Sequence, residues 1–287
     1  MDSRLKTGYI DAFFVILIWA GFSLVSRMAT QSTLLHYDLV ALRFGTAALL
    51  LIPYCLLKHR INLLNPRLIV LGLMGGLSFA MLAYYGFTLA PAAHGGILLP
   101  GMLPFTSAVC SWLILGQIPS LRRSAGLIII ASGALCLGIE AFSKSGDRSW
   151  QGDISFLGAS FCLAIYSALA HKWHISARDS TIGGALIAAI VYMPIYLLFL
   201  PKGIDAAPLA TIALQAFYQG VLVVIVAMVL YMRAVNSLGP ARIGLCMAMV
   251  PVLVSLAAVP LLGEPLTAYI VLGLVLTCAG TWIGSRG

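Results

Sequence analysis

A chain of 287 residues that is 61% hydrophobic and only 9% charged is excluded from the soluble globular class, where roughly a quarter of residues carry charge. The net charge of +8 does not make it a nucleic-acid binder, because its Lys and Arg residues are scattered over short links and form no patch. The ten-residue alternation of a β-barrel is missing, so the expected class is an all-α polytopic membrane protein whose partners are the lipid bilayer and a small-molecule substrate.

The N-terminal stretch MDSRLKTGYIDAFFVILIWAGFSLVS sets basic residues before an apolar run of about twenty residues, with no small-residue cleavage site. It reads as a retained first transmembrane helix. Similar stretches follow, giving ten expected spans near 8–28, 37–57, 67–88, 92–115, 121–141, 152–172, 180–200, 208–233, 240–262 and 266–286. The cysteines at 55, 110, 136, 162, 246 and 278 all fall in apolar runs without a C-x-x-C pair, and read as small buried hydrophobes. With the N-terminus in the cytoplasm, twelve of the 17 basic residues lie on the cytoplasmic side. Arg27, Lys144, Arg148 and Lys202 lie outside, and Arg43 sits within the second span. This bias places both termini in the cytoplasm.

Shifting the sequence by 147 residues lays Tyr84 on Tyr231, Leu98 on Leu245, Pro104 on Pro251, Gly116 on Gly263, Gly126 on Gly273 and Gly133 on Gly280. The chain therefore divides into two five-span repeats, 1–143 and 150–287. Five is odd, so the second repeat crosses in the opposite sense. The charges agree: Arg122 and Arg123 meet Tyr269 and Ile270, while Arg233 and Arg242 meet Gly86 and Gly95. This is an inverted-topology repeat, an architecture common among secondary transporters.

WAGFSLVSR in span 1, ALRFGTAALLLIP in span 2 and the closing LGEPLTAYIVLGLVLTCAGTWIG, in this order and spacing, resemble the drug/metabolite transporter superfamily, in particular its EamA-type ten-helix permeases. The resemblance covers nearly the whole chain. It implies export of a small metabolite such as an amino acid from a bacterial-type inner membrane. One departure is Gln117, where such permeases often carry Glu.

The fourth span of each repeat is rich in helix breakers. Pro104 leaves the carbonyl of Pro100 without its donor, Pro100 that of Gly96, and Pro251 that of Met247. In hydrocarbon such carbonyls must face protein or a watery cavity, so Pro100, Pro104 and Pro251 are expected to line one. Gly116 and Gly263 read as helix C-terminal glycines, with Pro119 and Pro265 starting the next helices. Gly126, Gly133, Gly273 and Gly280 read as close helix contacts.

Polar and aromatic groups at membrane depth supply the candidate substrate-binding residues: Trp19, Ser23, Ser78, Tyr84, His94, Pro100, Tyr166, Tyr218, Gln219 and Met247. They describe an aromatic-walled pocket with neutral hydrogen-bonding groups. No Asp or Glu lies at mid-depth, which argues against a buried carboxylate proton relay; His94 is the one group there that could carry a proton. Arg43 is expected to snorkel outward or pair with Asp38. A single deep cation disfavours phosphorylated substrates, which want several, against neutral or zwitterionic metabolites. No cofactor or metal is expected, and a ten-span repeat can close its own cavity as a monomer.

Two other functions compete with the carrier. A membrane sensor or assembly subunit would be expected to bring a soluble output domain. An intramembrane enzyme would need a catalytic constellation. There is no H-E-x-x-H, and GLSFA, at residues 76–80, is the nearest approach to a G-x-S-x-G turn.

Overall fold

The computed structural model describes residues 3–143, 148–238 and 240–284; Lys144 and Arg286, two of the orienting charges, fall outside them. The chain runs through α1 (Ser3–Thr30), α2 (His36–Leu57), α3 (Pro66–Leu89), α4 (Ala92–Leu115), α5 (Leu121–Ser143), α6 (Ser149–Lys172), α7 (Ala177–Phe199) and α8 (Leu209–Leu238). Among the described residues these eight helices are long and apolar enough to cross a membrane. The ninth and tenth expected spans appear as shorter apolar helices. α9 is cut at Ala248 into Pro240–Met247 and Met249–Leu262, and α10 is Ala268–Gly284. No strand occurs among the described residues. Leu49, Leu135 and Leu198 are two-thirds or more exposed on the outer face, a surface suited to lipid.

Short signals set the helix ends. Pro66 opens α3 behind Asn65, whose side chain accepts from the Arg67 N–H, and Ser176 caps α7 by accepting from the Asp179 N–H. α4 and α9 end alike. Gly116 and Gly263 adopt left-handed φ of 70° and 66°, with nothing within 4 Å of the Cβ they lack. The N–H after each glycine, of Gln117 and Glu264, reaches back to Ser111 and Ala258, which completes a Schellman turn. Pro119 and Pro265 do not start the next helices as expected. They lie in the links, before α5 at Leu121 and α10 at Ala268, because the turn needs further residues to reverse the chain.

The packing has the symmetry of the repeat. Exchanging α1–α5 for α6–α10 carries the α1–α8 contact onto α3–α6, α2–α8 onto α3–α7, and α1–α9 onto α4–α6. The α5–α10 and α2–α7 contacts map onto themselves. The two repeats are therefore interleaved, each helix of one packing on helices of the other. Below, the near end of the bundle is the one where α1 begins and the far end the one where it finishes.

Three helices carry a wide π-helical stretch: Gly72–Ser78 in α3, Ile97–Gly101 in α4 and Ala216–Val226 in α8. Such turns insert a residue into the helical ladder and collect at functional sites. The 147 shift lays 72–78 on 219–225, inside the α8 stretch, so both repeats carry the same irregularity.

Candidate functional site

All three wide stretches meet at one cavity of about 200 Å³, lined by helices of both repeats. Gly75 and Gly76 come from α3, Leu99 and Pro100 from α4, and Val223 and Val224 from α8. α1 adds Trp19, Phe22 and Ser23; α2 adds Arg43 and Phe44; α6 adds Tyr166; α7 adds Ser180 and Thr181. The missing side chains of Gly75 and Gly76 matter here: a Cβ on Gly75 would strike the Tyr166 ring, and one on Gly76 would press on the Gly184 carbonyl.

The broken fourth helix is satisfied locally. The Pro100 carbonyl accepts from the Met102 N–H, and the Leu99 carbonyl from the Ser160 hydroxyl at 3.3 Å. Of the expected cavity-lining prolines the wall includes Pro100, whereas Pro104 and Pro251 stand outside it.

Of the candidate residues, Trp19, Ser23, Pro100 and Tyr166 share this wall. Trp19 stacks its other face on Tyr231, ring centroids 5.4 Å apart, and the Tyr166 hydroxyl donates to Ser180 at 2.8 Å. The rest are placed elsewhere. Ser78 is half-buried at the end of the α3 wide stretch. Tyr218 donates to the Ile18 carbonyl, fastening α8 to α1. Met247 packs beside Cys246 on the α1–α9 cluster of Ile16, Ala20 and Val250. His94 is buried at the far end, its Nδ1 2.8 Å from the carboxylate of Asp153.

Tyr84 and Gln219 form a chain behind the wall. Arg43 Nη1 donates to the Tyr84 oxygen at 3.4 Å, and Tyr84 donates to Gln219 Oε1 at 2.9 Å. Gln219 Nε2 donates to Ser26 at 3.1 Å and Gln215 Oε1 at 3.3 Å, and Gln215 to the Val25 carbonyl. Every donor in this series points away from Arg43. The series ties α2 and α3 to α8 and α1, so Gln219→Leu should orphan the buried Tyr84 hydroxyl. We expect a stability loss of about 1–3 kcal/mol, measured as a lower thermal unfolding midpoint.

Arg43 departs from the sequence expectation. It neither snorkels nor meets Asp38. Asp38 instead accepts from Tyr196 at 2.6 Å, from the Leu35 N–H at 2.7 Å and from the Gly203 N–H at 3.0 Å, which binds the start of α2 to the end of α7. The five-residue offset between Asp38 and Arg43 turns them about 140° apart on the helix. Arg43 is 9% exposed and lies among the rings of Phe22, Phe44 and Phe79, with its carbon centre 5.6, 5.7 and 5.9 Å from their centroids. Its Nε has no partner, and among the described residues it forms no ion pair. Ser180 and Thr181, also unforeseen, add hydroxyls to the wall. No sequence signal separated these hydroxyls from the many that only bond backbone within their own helix.

The far end is stitched shut. Arg27 Nε meets Glu264 Oε1 at 2.9 Å, and its Nη1 donates to the Phe87 carbonyl at 2.6 Å. Glu264 Oε2 accepts from the Ala92 N–H at 2.8 Å, so α1, α3, α4 and the end of α9 are held together. His94 with Asp153, Asp38 with Tyr196, and Thr267 with Glu140 at 2.8 Å lie at the same end.

Comparison with known proteins places this architecture. A solved crystal structure of a protein is similar at 18% sequence identity, covering 97% of this chain and 96% of that one with a TM-score of 0.66, a likeness of fold. No curated protein matches the chain. The model of the EamA-like transporter family matches twice, over residues 6–139 and 150–286, once per repeat. The chain belongs to the EamA-like transporter family, as a multi-pass membrane protein built from two inverted repeats.

Proposed function

We propose that the chain crosses the inner membrane ten times, with both termini cytoplasmic and the repeats bounded at 1–143 and 150–287. It acts as a monomeric secondary transporter that exports a small neutral or zwitterionic metabolite such as an amino acid. The substrate occupies the cavity between the repeats, and rocking of the repeats exposes it to each side in turn. The observation that carries this reading is one cavity walled by the wide stretches of both repeats, beneath a far end closed by Arg27 and Glu264. With the near end in the cytoplasm, the conformation is closed to the outside, the state in which an exporter loads its cargo.

The test is counterflow in proteoliposomes preloaded with a panel of amino acids and related metabolites. Trp19→Ala removes an aromatic wall and should raise the KM about tenfold. Thr181→Trp should fill the cavity and abolish flux in a folded protein. Flux that survives Thr181→Trp unchanged moves the transport site elsewhere. A folded chain that carries nothing in the panel favours a sensor or assembly subunit.

A further inference from the structure

Arg43 is a buried cation that forms no ion pair among the described residues. The cavity wall carries five aromatic side chains, several hydroxyls and no acidic side chain. Aromatic faces stabilise a guanidinium only in part, and a charge taken out of water needs a counter-charge or a full set of acceptors. The one bond Arg43 makes is long, its Nε is unused, and the donors behind it all run away from it. The chain through Tyr84 and Gln219 thus holds the group in position without discharging it. Such a group calls for an anion, and the space beside the guanidinium is the cavity.

We infer that Arg43 is the anion anchor of the cavity and that the transported molecule carries a carboxylate, a specification that rests on the cavity being the transport site. The planar fork of a guanidinium matches a carboxylate with two N–H donors. A phosphate dianion would call for further cations, and the wall has none. The rings of Phe22, Phe79 and Trp19 take the apolar body, while the hydroxyls of Ser23 and Thr181 stand in the wall for a second polar group. Within the class proposed above, this admits an α-amino acid through its carboxylate and rejects a wholly neutral metabolite.

The experiment is ligand-dependent thermal stabilisation of the purified full chain, which needs no prior substrate and no membrane permeability. The probes are matched acid and amide pairs, 3-phenylpropionate with 3-phenylpropionamide and butyrate with butyramide, together with the common amino acids. In wild type, at least one acid should bind roughly ten- to a hundredfold more tightly than its amide. Arg43→Gln should erase that preference and Arg43→Lys should keep part of it, each variant's own unfolding trace reporting whether it folds. Equal affinity of acid and amide in wild type overturns the inference without any variant, and leaves the cavity as the transport site. A preference that persists in folded Arg43→Gln overturns it as well. If neither the pairs nor the amino acids bind, the reading of the cavity as the transport site falls instead.

Discussion

Replacing Glu264 with alanine should open the far end of the bundle. The carboxylate holds Arg27 with one oxygen and the Ala92 N–H with the other, both at the end of α9. Arg27 and Glu264 side chains are only 17% and 10% exposed, so losing one partner leaves the other charge stranded, at a cost of about 3 kcal/mol. That cost falls on the closed state alone, because parting the helices returns Arg27 to water. The expected readout is modification of a cysteine placed at Ser23 in a background without the native cysteines. A membrane-impermeant maleimide applied at the far side should react tenfold or more faster in Glu264→Ala. Exchanging the charges, Arg27→Glu with Glu264→Arg, should slow it again. An unchanged rate in Glu264→Ala would mean that packing alone closes this end.

The symmetry sharpens the point. The 147 shift carries Glu264 onto Gln117, which is exposed at the near end and has no charge to offer. Asp11 with Arg233 ties α1 to α8 there, and Lys172 with the Ile114 carbonyl ties α6 to α4. The departure of Gln117 from Glu thus removes from one end of the molecule the carboxylate that fastens the other.

The helices, the repeat and the glycine turns were legible in the sequence because each rests on a local rule. About twenty apolar residues make a span, a glycine after a helix makes a left-handed turn, and a shift of 147 superposes the two halves. The cavity was half legible. Trp19 and Tyr166 are equivalent under the 147 shift, and both line the wall. Gln215, Tyr218 and Gln219 were correctly read as one polar face of α8, but a face does not announce its neighbour. This one turns to α1, where carbonyls and Ser26 take its donors. Arg43 was misread by proximity in sequence, although Asp38 lies on another side of the helix. His94 was noticed, but its partner Asp153 is 59 residues away in another helix, and tertiary packing decides such pairs.

The contact between α5 and α10 leaves no room for an added side chain. A Cβ on Gly280 would lie 2.6 Å from the Gly126 carbonyl and 2.9 Å from the Ile130 N–H, and one on Gly126 2.5 Å from the Gly280 carbonyl. These neighbours are backbone, so no rotamer change relieves the clash. Gly133 meets the Gly273 carbonyl at 2.9 Å in the same manner. The repeat explains why the glycines come in fours: the 147 shift turns the Gly126–Gly280 contact into the Gly273–Gly133 contact, so the two helices meet across the pseudo-twofold axis with the same surface on each. In lipid, where apolar burial does not drive helices together, this backbone approach is itself the cohesive force. Gly280→Leu should therefore part the pair, costing about 3 kcal/mol or more and leaving little folded protein on size-exclusion chromatography. Gly138→Leu makes the control, on the partner helix α5, since nothing stands within 4 Å of a Cβ there. It should fold as wild type. Equal folding of Gly280→Leu and Gly138→Leu would show that α10 is held by its other neighbours and that the glycine contact is dispensable.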